Sequence, residues 1–141
     1  LVALEPLADK FLAEISWCDL SDADQVVSKP AEEFAEVLES IADFVFSINV
    51  LDHCYDFRAI CENIYHYTKP GGQVFLSFDS HLSASTGHPL ILTDRICDKV
   101  FADCGFRVTW FQFGFPAEFV QFHGRNGYDG KSDSLNYLLT R

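Results

Sequence analysis

Blocks of apolar residues alternate with polar blocks along the chain, and their spacing predicts strands and helices in turn. Short apolar or β-branched runs predict six strands, at residues 1–4, 25–28, 43–51, 73–78, 107–113 and 134–140. Apolar residues three and four positions apart predict four helices, over residues 7–15 and 31–40, after Asp56 and after Thr93. This order predicts an α/β fold with a mostly parallel sheet, whose last two strands pair antiparallel because no helix separates them.

Several elements carry specific end and burial signals. Asp56 and Thr93 are expected to cap the third and fourth helices, and Gly105 lies where a left-handed C-terminal cap belongs. The strand at 43–51 is almost continuously apolar, which is typical of a central parallel strand covered by helices on both faces. Residues 114–133 are rich in glycine and predict a long loop or irregular hairpin. The inward residues of the second and third helices are expected to be Phe34, Val37, Leu38 and Ile41, and Phe57, Ile60, Cys61 and Ile64.

Composition and charge narrow the class of protein. The chain has 141 residues, of which 48% are hydrophobic and 15% aromatic, so we expect one folded domain over residues 1–141. Its net charge is −11, which argues against nucleic acid or an anionic membrane surface as a partner. Residues 1–60 hold three basic and 13 acidic side chains, an imbalance best explained by a solvated face. No apolar run reaches the roughly 18 residues of a membrane-spanning helix.

The five cysteines predict reduced thiols rather than a disulfide framework. Their number is odd, no C-x-x-C pair occurs, and two pairs are seven residues apart, at Cys54 and Cys61 and at Cys97 and Cys104. Buried, reduced cysteines are typical of cytoplasmic proteins. We therefore expect a cytoplasmic protein without disulfide bonds.

Ligands of open α/β sheets bind at the carboxyl ends of the strands, where Glu5 follows the first predicted strand. Its carboxylate could accept hydrogen bonds from both hydroxyls of a ribose, or it could face the positive N-terminus of the next helix. Both interpretations stay open.

A nucleotide site also needs a glycine-rich turn about 20 residues before such an acid. The chain lacks Met and begins inside a predicted strand at Leu1, so we expect a domain that is incomplete at its N-terminus, with that turn upstream.

The segment from Asp43 to Gly72 carries an ordered set of motifs that resembles the class I S-adenosylmethionine-dependent methyltransferase family. A hydrophobic strand opening with Asp43 leads to Val50-Leu51-Asp52-His53, then to Asp56, and then to Lys69-Pro70-Gly71-Gly72. Weaker likenesses extend over nearly the whole chain, at Leu4-Glu5-Pro6, at Ala31-Glu32-Glu33-Phe34 and at Cys104-Gly105-Phe106. The chain departs from the family at Pro30, where many members carry an acid, and at Thr68, where the usual residue is leucine.

The resemblance implies a Rossmann-like three-layer fold and S-adenosylmethionine as cofactor. The implied sheet order is 3-2-1-4-5-7-6, with strand seven antiparallel, and strand one is expected to be missing from this chain. Glu5 would bind the ribose hydroxyls, and Ala31 with its neighbours would contact the adenine. The cofactor-binding residues that the resemblance assigns are Glu5, Pro6, Leu7, Pro30, Ala31, Glu32, Ser47, Ile48 and Asn49.

Methyl transfer asks the protein mainly to align the acceptor with the methyl group that the cofactor supplies. A general base is needed only when the acceptor atom carries a proton. His53, after the Asp43 strand, is the best-placed catalytic candidate; His81, His88 and His123 are others, and each histidine has a purely structural interpretation as well. The histidines do not show metal-ligand spacing along the sequence, so we expect no metal.

These observations predict an S-adenosylmethionine-dependent methyltransferase with a small-molecule acceptor and with no nucleic-acid or membrane partner. A homodimer is left open. The alternatives are a non-catalytic methyltransferase-like binding domain and, less favoured, an NAD-dependent dehydrogenase. An antiparallel last strand would favour the methyltransferase, whereas a sheet that stays parallel to its edge would favour the dehydrogenase.

Overall fold

The computed structural model describes residues 1–114 and 134–141 of the protein. Within these ranges the strands are β1 Val2–Leu4, β2 Gln25–Val27, β3 Ala42–Ile48, β4 Thr68–Asp79, β5 Arg107–Phe113 and β6 Ser134–Thr140. The α-helices are α1 Ala8–Glu14, α2 Phe57–Tyr67 and α3 Asp94–Cys104, and short 3-10 turns lie at Asp19–Asp22, Glu36–Leu38 and Leu51–His53. Most of the predicted glycine-rich loop, with His123, lies outside the described residues.

The described strands form two sheets. β1 and β2 pair in parallel, and the other four strands are ordered β3-β4-β6-β5. β3 is parallel to β4, whereas β6 is antiparallel to both β4 and β5, so the predicted antiparallel pairing of the last two strands is confirmed. The four-stranded sheet reproduces the portion 4-5-7-6 of the expected order. No hydrogen bonds between described strands join it to the β1–β2 pair.

The core lies between α2, α3 and one face of the four-stranded sheet. Alternate residues of β4 and β6 point into it, as the two-residue period of a strand requires. The four predicted inward residues of α2 are all buried, which confirms that face of the helix. Aromatic rings tie the layers together: Phe101 of α3 packs edge-on against Tyr137 of β6, with ring centroids 4.9 Å apart. The buried residues of this core are Leu51, Phe57, Ile60, Cys61, Ile64, Val74, Leu76, Phe78, Leu92, Cys97, Val100, Phe101, Phe106, Leu135, Tyr137 and Leu139.

A buried polar network holds the antiparallel half of the sheet in register. The Asn136 side-chain carbonyl accepts a hydrogen bond from the Ser77 hydroxyl at 2.8 Å. Its amide group donates to the carbonyls of Gln112 and Gly114 and contacts the hydroxyl of Ser134. Both ends of the buried side chain are therefore satisfied, which avoids the cost of an unpaired polar group.

The predicted helix ends are confirmed. The Asp56 carboxylate accepts a hydrogen bond from the Ala59 N–H at 3.0 Å, and the Thr93 hydroxyl accepts from the Ile96 N–H. Gly105 adopts the left-handed conformation, with φ of 96°, and ends α3. These caps place the loops that precede α2 and α3, and both loops lie at the carboxyl ends of strands.

The predicted helix over residues 31–40 is wrong. Only Glu36–Leu38 form a short 3-10 turn, and Phe34, Val37 and Ile41 are exposed. Tertiary hydrogen bonds compete with the helix, because the Ala35 N–H donates to the buried Tyr67 hydroxyl at 2.8 Å. Apolar spacing alone could not show that α2 would bind this backbone.

The prediction that the strand at 43–51 is covered on both faces is also wrong. Phe44, Phe46 and Ile48 of β3 are each more than half exposed, while Val45 packs against the core. Among the described elements, no helix covers the face that carries these three side chains. The continuous apolar run thus identified the strand correctly but not its burial.

Gly72 makes a close backbone approach that predicts a measurable stability effect. A Cβ at this position would lie 2.7 Å from the Thr68 methyl carbon, 2.9 Å from the Lys69 carbonyl oxygen and 3.1 Å from the Asp43 carbonyl oxygen. Because two of these neighbours are backbone atoms, Gly72→Ala should lower the free energy of unfolding by about 1–3 kcal/mol in urea denaturation. Gly87→Ala is the control, since its Cβ would meet no atom within 4 Å. Equal effects of the two substitutions would contradict this packing argument.

The buried thiols predict a loss of stability in alkali. Burial raises the pKa of Cys97 from 9.0 to about 12, and it also raises the pKa of Cys61. Above pH 9 these thiols ionise in the unfolded chain but stay protonated in the folded one. The stability they contribute is complete below pH 9 and is lost towards pH 12, by at most about 1.4 kcal/mol per pH unit for each thiol. Urea denaturation at several pH values should show a shallower decline for Cys97→Ala and an unchanged decline for Cys18→Ala.

Candidate functional site

The first group of predicted site residues lies where β1 and β2 end. The Glu5 N–H donates to the Val27 carbonyl at 3.1 Å, which continues the parallel pairing past both strands. Beyond it, the Ser28 hydroxyl lies 3.5 Å from the Pro6 carbonyl oxygen. The structure therefore brings Glu5 and Pro6 close to the segment that leads to Pro30.

The Glu5 carboxylate takes part in the start of α1. Its Oε1 accepts a hydrogen bond from the Leu7 N–H at 3.0 Å, and Leu7 is the N-cap residue of α1. This is the helix-facing role that the sequence allowed. A carboxylate has about four lone-pair sites, so this bond leaves capacity for further donors.

Residues 30–32 follow β2 in the chain and are hydrogen-bonded to α2 and to the loop after β3. The Ala31 carbonyl accepts a hydrogen bond from the Asn63 side chain of α2 at 2.8 Å. The Glu32 carboxylate accepts from the Tyr55 N–H at 3.1 Å, in the loop after β3. These bonds connect the end of β2 to the end of β3, while Pro30 itself is exposed.

The second group of predicted residues lies at the end of β3. Ser47 and Ile48 are the last residues of the strand, and Asn49 turns out of it with φ of 55°, a conformation that asparagine tolerates. The Asn49 N–H donates to the Ser77 carbonyl of β4 at 2.7 Å, so the turn stays attached to the sheet. The Ile48 side chain is exposed at this edge.

Directly after this turn, His53 belongs to a cluster that the sequence analysis did not predict. The Asp52 carboxylate is completely buried. Its Oδ2 lies 2.8 Å from His88 Nδ1, 3.3 Å from His81 Nε2 and 3.6 Å from His53 Nε2. His53 Nδ1 is 2.7 Å from the Gly87 carbonyl oxygen. The loop after β4 is thereby folded onto the loop after β3.

Asp52 is the residue that the sequence analysis missed, although its motif was recognised. The available signal was an aspartate at the end of one parallel strand and two histidines in the loop after the next strand. Carboxyl ends of adjacent parallel strands meet at one edge of a sheet, so these groups were bound to be neighbours. The spacing of these residues along the chain does not by itself show that they are close together.

The Lys69-Pro70-Gly71-Gly72 motif supports the sheet rather than the site. The Lys69 ammonium contacts both carboxylate oxygens of Asp43, at 2.9 and 2.8 Å, at the opposite end of β3 from His53. Thr68, the departure from leucine, is buried and donates its hydroxyl hydrogen to the Ile64 carbonyl at the end of α2. The motif thus fixes where α2 ends and β4 begins.

Solved structures share this fold at low sequence identity. A methyltransferase from Mesorhizobium loti, described as S-adenosylmethionine dependent, aligns with a TM-score of 0.71 and 12% identity over 99% of this chain and 79% of its own. An S-adenosylmethionine-dependent methyltransferase from Archaeoglobus fulgidus aligns with a TM-score of 0.60 and 11% identity, over 99% and 85% of the two chains. The Burkholderia thailandensis 1,6-didemethyltoxoflavin N1-methyltransferase, solved with 1,6-didemethyltoxoflavin and S-adenosylhomocysteine, aligns with a TM-score of 0.66 and 15% identity, over 99% and 70%.

Sequence comparison gives the family. Among curated proteins, none matches the chain. A family model described as a methyltransferase domain matches residues 6–76, half of the chain, from the end of β1 into β4. The antiparallel β6 agrees with this match and speaks against the dehydrogenase alternative. The chain therefore belongs to the methyltransferase domain family and shares the Rossmann-like α/β fold of the solved methyltransferases.

Proposed function

We propose that the protein transfers the methyl group of S-adenosylmethionine to a small-molecule acceptor at the carboxyl edge of its parallel strands. The observation that carries the proposal is the position of the predicted cofactor segments. They follow β1, β2 and β3, and the Glu32–Tyr55 hydrogen bond links the last two. Ligands of open α/β sheets bind at this edge.

On the cofactor side, we assign the ribose hydroxyls to the Glu5 carboxylate. The Leu7 N–H occupies one lone pair of Oε1 and fixes the direction of the side chain. Pro6, Leu7, Pro30, Ala31 and Glu32 would surround the adenine, and Ser47, Ile48 and Asn49 would face the methionine part. The exposed side chain of Leu7 offers an apolar contact to the adenine, and that of Ile48 offers one to the methionine part.

On the acceptor side, we assign the wall of the site to His53 and to the loop over residues 80–92. The net charge of −11 favours a small molecule over nucleic acid, whose phosphates would be repelled. The Burkholderia thailandensis enzyme of similar fold was solved with 1,6-didemethyltoxoflavin and S-adenosylhomocysteine, which supports a small-molecule acceptor for this protein. The five free cysteines support the cytoplasm as its compartment, and no helix in the described ranges has the length and apolarity to cross a membrane.

Methyl transfer requires alignment of the acceptor atom with the methyl group more than it requires proton transfer. When bound, S-adenosylmethionine would supply a methyl group on a positively charged sulfur: the acceptor atom would bond to the methyl carbon in line with the carbon–sulfur bond that breaks, and S-adenosylhomocysteine would leave. The residues after β1, β2 and β3 would hold the cofactor, and the loop over residues 80–92 would hold the acceptor. Such positioning lowers the barrier by roughly 7–11 kcal/mol in favourable cases. The role of His53 as a general base stays a prediction and depends on a protonated acceptor.

The cofactor assignment predicts binding of S-adenosylhomocysteine. Calorimetry on the full-length protein should show one site per chain. Glu5→Gln should weaken binding about 10- to 100-fold, because a hydrogen bond to a charged group is worth about 1.5–3 kcal/mol. The matched control is Glu14→Gln at the exposed end of α1, which should bind like the wild type. No heat at high protein concentration would leave the non-catalytic binding domain as the better account.

The acceptor-side assignment predicts that Asp52 orders the loop over residues 80–92. Asp52→Asn removes the charge that His81 and His88 contact, so amide hydrogen exchange of residues 81–92 should accelerate. The free energy of unfolding should fall by about 1–3 kcal/mol, the usual cost of disturbing buried hydrogen bonds. Asp43→Asn disturbs an exposed pair and should cost about 0–1 kcal/mol. Unchanged exchange in the loop would contradict the assignment.

A further inference from the structure

At the acceptor edge, three histidine side chains converge on one carboxylate oxygen of Asp52. Asp52, His53, His81 and His88, here called the Asp52 cluster, come from the loops after β3 and β4. Their contacts to Asp52 Oδ2 span 2.8 to 3.6 Å. One ligand atom each from Asp52, His53 and His88 lies within 4.8 Å of the others. Ligand atoms at these separations can bind a single metal ion.

Among the described residues, no lysine or arginine pairs with the Asp52 carboxylate. It is 0% exposed, and each of its ion pairs among the described residues is with a histidine. Its second oxygen, Oδ1, is buried and has no hydrogen-bond partner in the described part of the chain. Burying a carboxylate in this way is costly unless a cation pairs with it.

The orientation of His53 is that of a metal ligand. A carbonyl oxygen can only accept a hydrogen bond, so His53 Nδ1 must donate its hydrogen to Gly87 across the 2.7 Å contact. In the neutral ring, Nε2 then presents a lone pair towards Asp52 Oδ2, 3.6 Å away. Two lone pairs facing each other repel unless a cation lies between them. Metal-bound histidines almost always fix the other nitrogen on a carbonyl or carboxylate in this manner.

The three imidazole rings are packed close together beside the Asp52 carboxylate. The His88 ring centroid lies 4.4 Å from that of His53 and 4.2 Å from that of His81. A single ion between the ring nitrogens would place one positive centre next to that carboxylate.

We propose that Asp52, His53 and His88 bind one first-row divalent transition ion, with His81 as the fourth candidate ligand. Imidazole and carboxylate together suit Zn²⁺ and its neighbours, whereas Ca²⁺ and Mg²⁺ prefer oxygen alone. Two ligands about 2.1 Å from a tetrahedral ion lie roughly 3.4 Å apart. The contacts of His53 and His81 to Asp52 Oδ2, at 3.6 and 3.3 Å, are close to that separation. His88 Nδ1, at 2.8 Å, lies at hydrogen-bond distance and would have to move away from Oδ2 to bind the same ion.

The ion would lie on the acceptor side of the edge, and this consequence rests on the proposed function. Three protein ligands leave a position open for an oxygen or nitrogen of the acceptor. An ion-bound Nε2 has no lone pair for a proton, so for His53 the ligand role and the general-base role exclude each other. The absence of metal expected from sequence spacing remains the competing hypothesis.

The test is metal binding without cofactor or acceptor. Full-length, tag-free protein is treated with a chelator, dialysed and titrated with ZnCl₂ by calorimetry, then with CoCl₂ by visible absorption. We expect one ion per chain and a cobalt spectrum of nitrogen and oxygen ligands. His53→Gln and His88→Gln should each weaken Zn²⁺ binding roughly 100-fold or more, since loss of a mere supporting group already costs about 10–100-fold.

The matched control is His66→Gln, an exposed histidine near the end of α2, which should bind Zn²⁺ like the wild type. Circular dichroism and thermal unfolding of the metal-free variants verify that each is folded. Zn²⁺ should raise the melting temperature of the wild type and of His66→Gln but not that of His53→Gln.

Three results would overturn the proposal: no stoichiometric Zn²⁺ binding, full affinity retained in His53→Gln and His88→Gln, or cobalt absorption typical of thiolate ligands. Each is independent of S-adenosylhomocysteine binding. Failure of the metal site therefore leaves the proposed methyl transfer untouched, and failure of cofactor binding leaves the metal site untouched.

Discussion

Burial of the Asp52 carboxylate is the constraint on which the loops at the carboxyl ends of β3 and β4 depend. A charge with no access to water needs partners, and the histidines that contact it come from two loops distant in sequence. Meeting that need brings the loop after β4 onto the loop after β3. The same contacts place His53 at the rim, where its ring is fixed by the Gly87 carbonyl. The arrangement of these histidines, which resembles that of catalytic residues, thus follows from the need to balance one buried charge.

The rest of the fold holds these two loops in place through β4. This strand pairs in parallel with β3 and antiparallel with β6, so it connects the site edge to the strand that completes the sheet. Gly72 allows the close approach of the chain near Asp43, and Ser77 joins β4 to the Asn136 network. The positions of the site residues therefore depend on packing and hydrogen bonds at both ends of β4.

Local signals predicted most of the fold, because strands, caps and stops depend on neighbouring residues. Asp56, Thr93 and Gly105 act where their chemistry requires, and the antiparallel β6 followed from a missing helix. The predictions that were wrong concern partners distant in sequence. Residues 31–40 did not form a helix because Tyr67 and Asn63 bind that backbone, and β3 is exposed on one face because no described helix covers it.

In the site too, features set by neighbouring residues could be predicted, whereas contacts between residues distant in sequence could not. Strand ends, and with them Glu5 and Asn49, could be predicted from the pattern of the chain. The Asp52 cluster could not be predicted from spacing, since His81 and His88 lie 29 and 36 residues after Asp52 and meet it only because β3 and β4 pair in parallel. A family resemblance supplied roles for the cofactor side but none for this aspartate.

The central claim is that the ends of β1, β2 and β3 form the cofactor site of a methyltransferase. A crystal structure of the full-length protein with S-adenosylhomocysteine tests it most directly. The account predicts ribose hydroxyls within hydrogen-bond distance of the Glu5 carboxylate, and the homocysteine part beside Ser47–Asn49. Density for the ligand at any other edge of the sheet, or a Glu5 carboxylate without contact to it, would contradict the account.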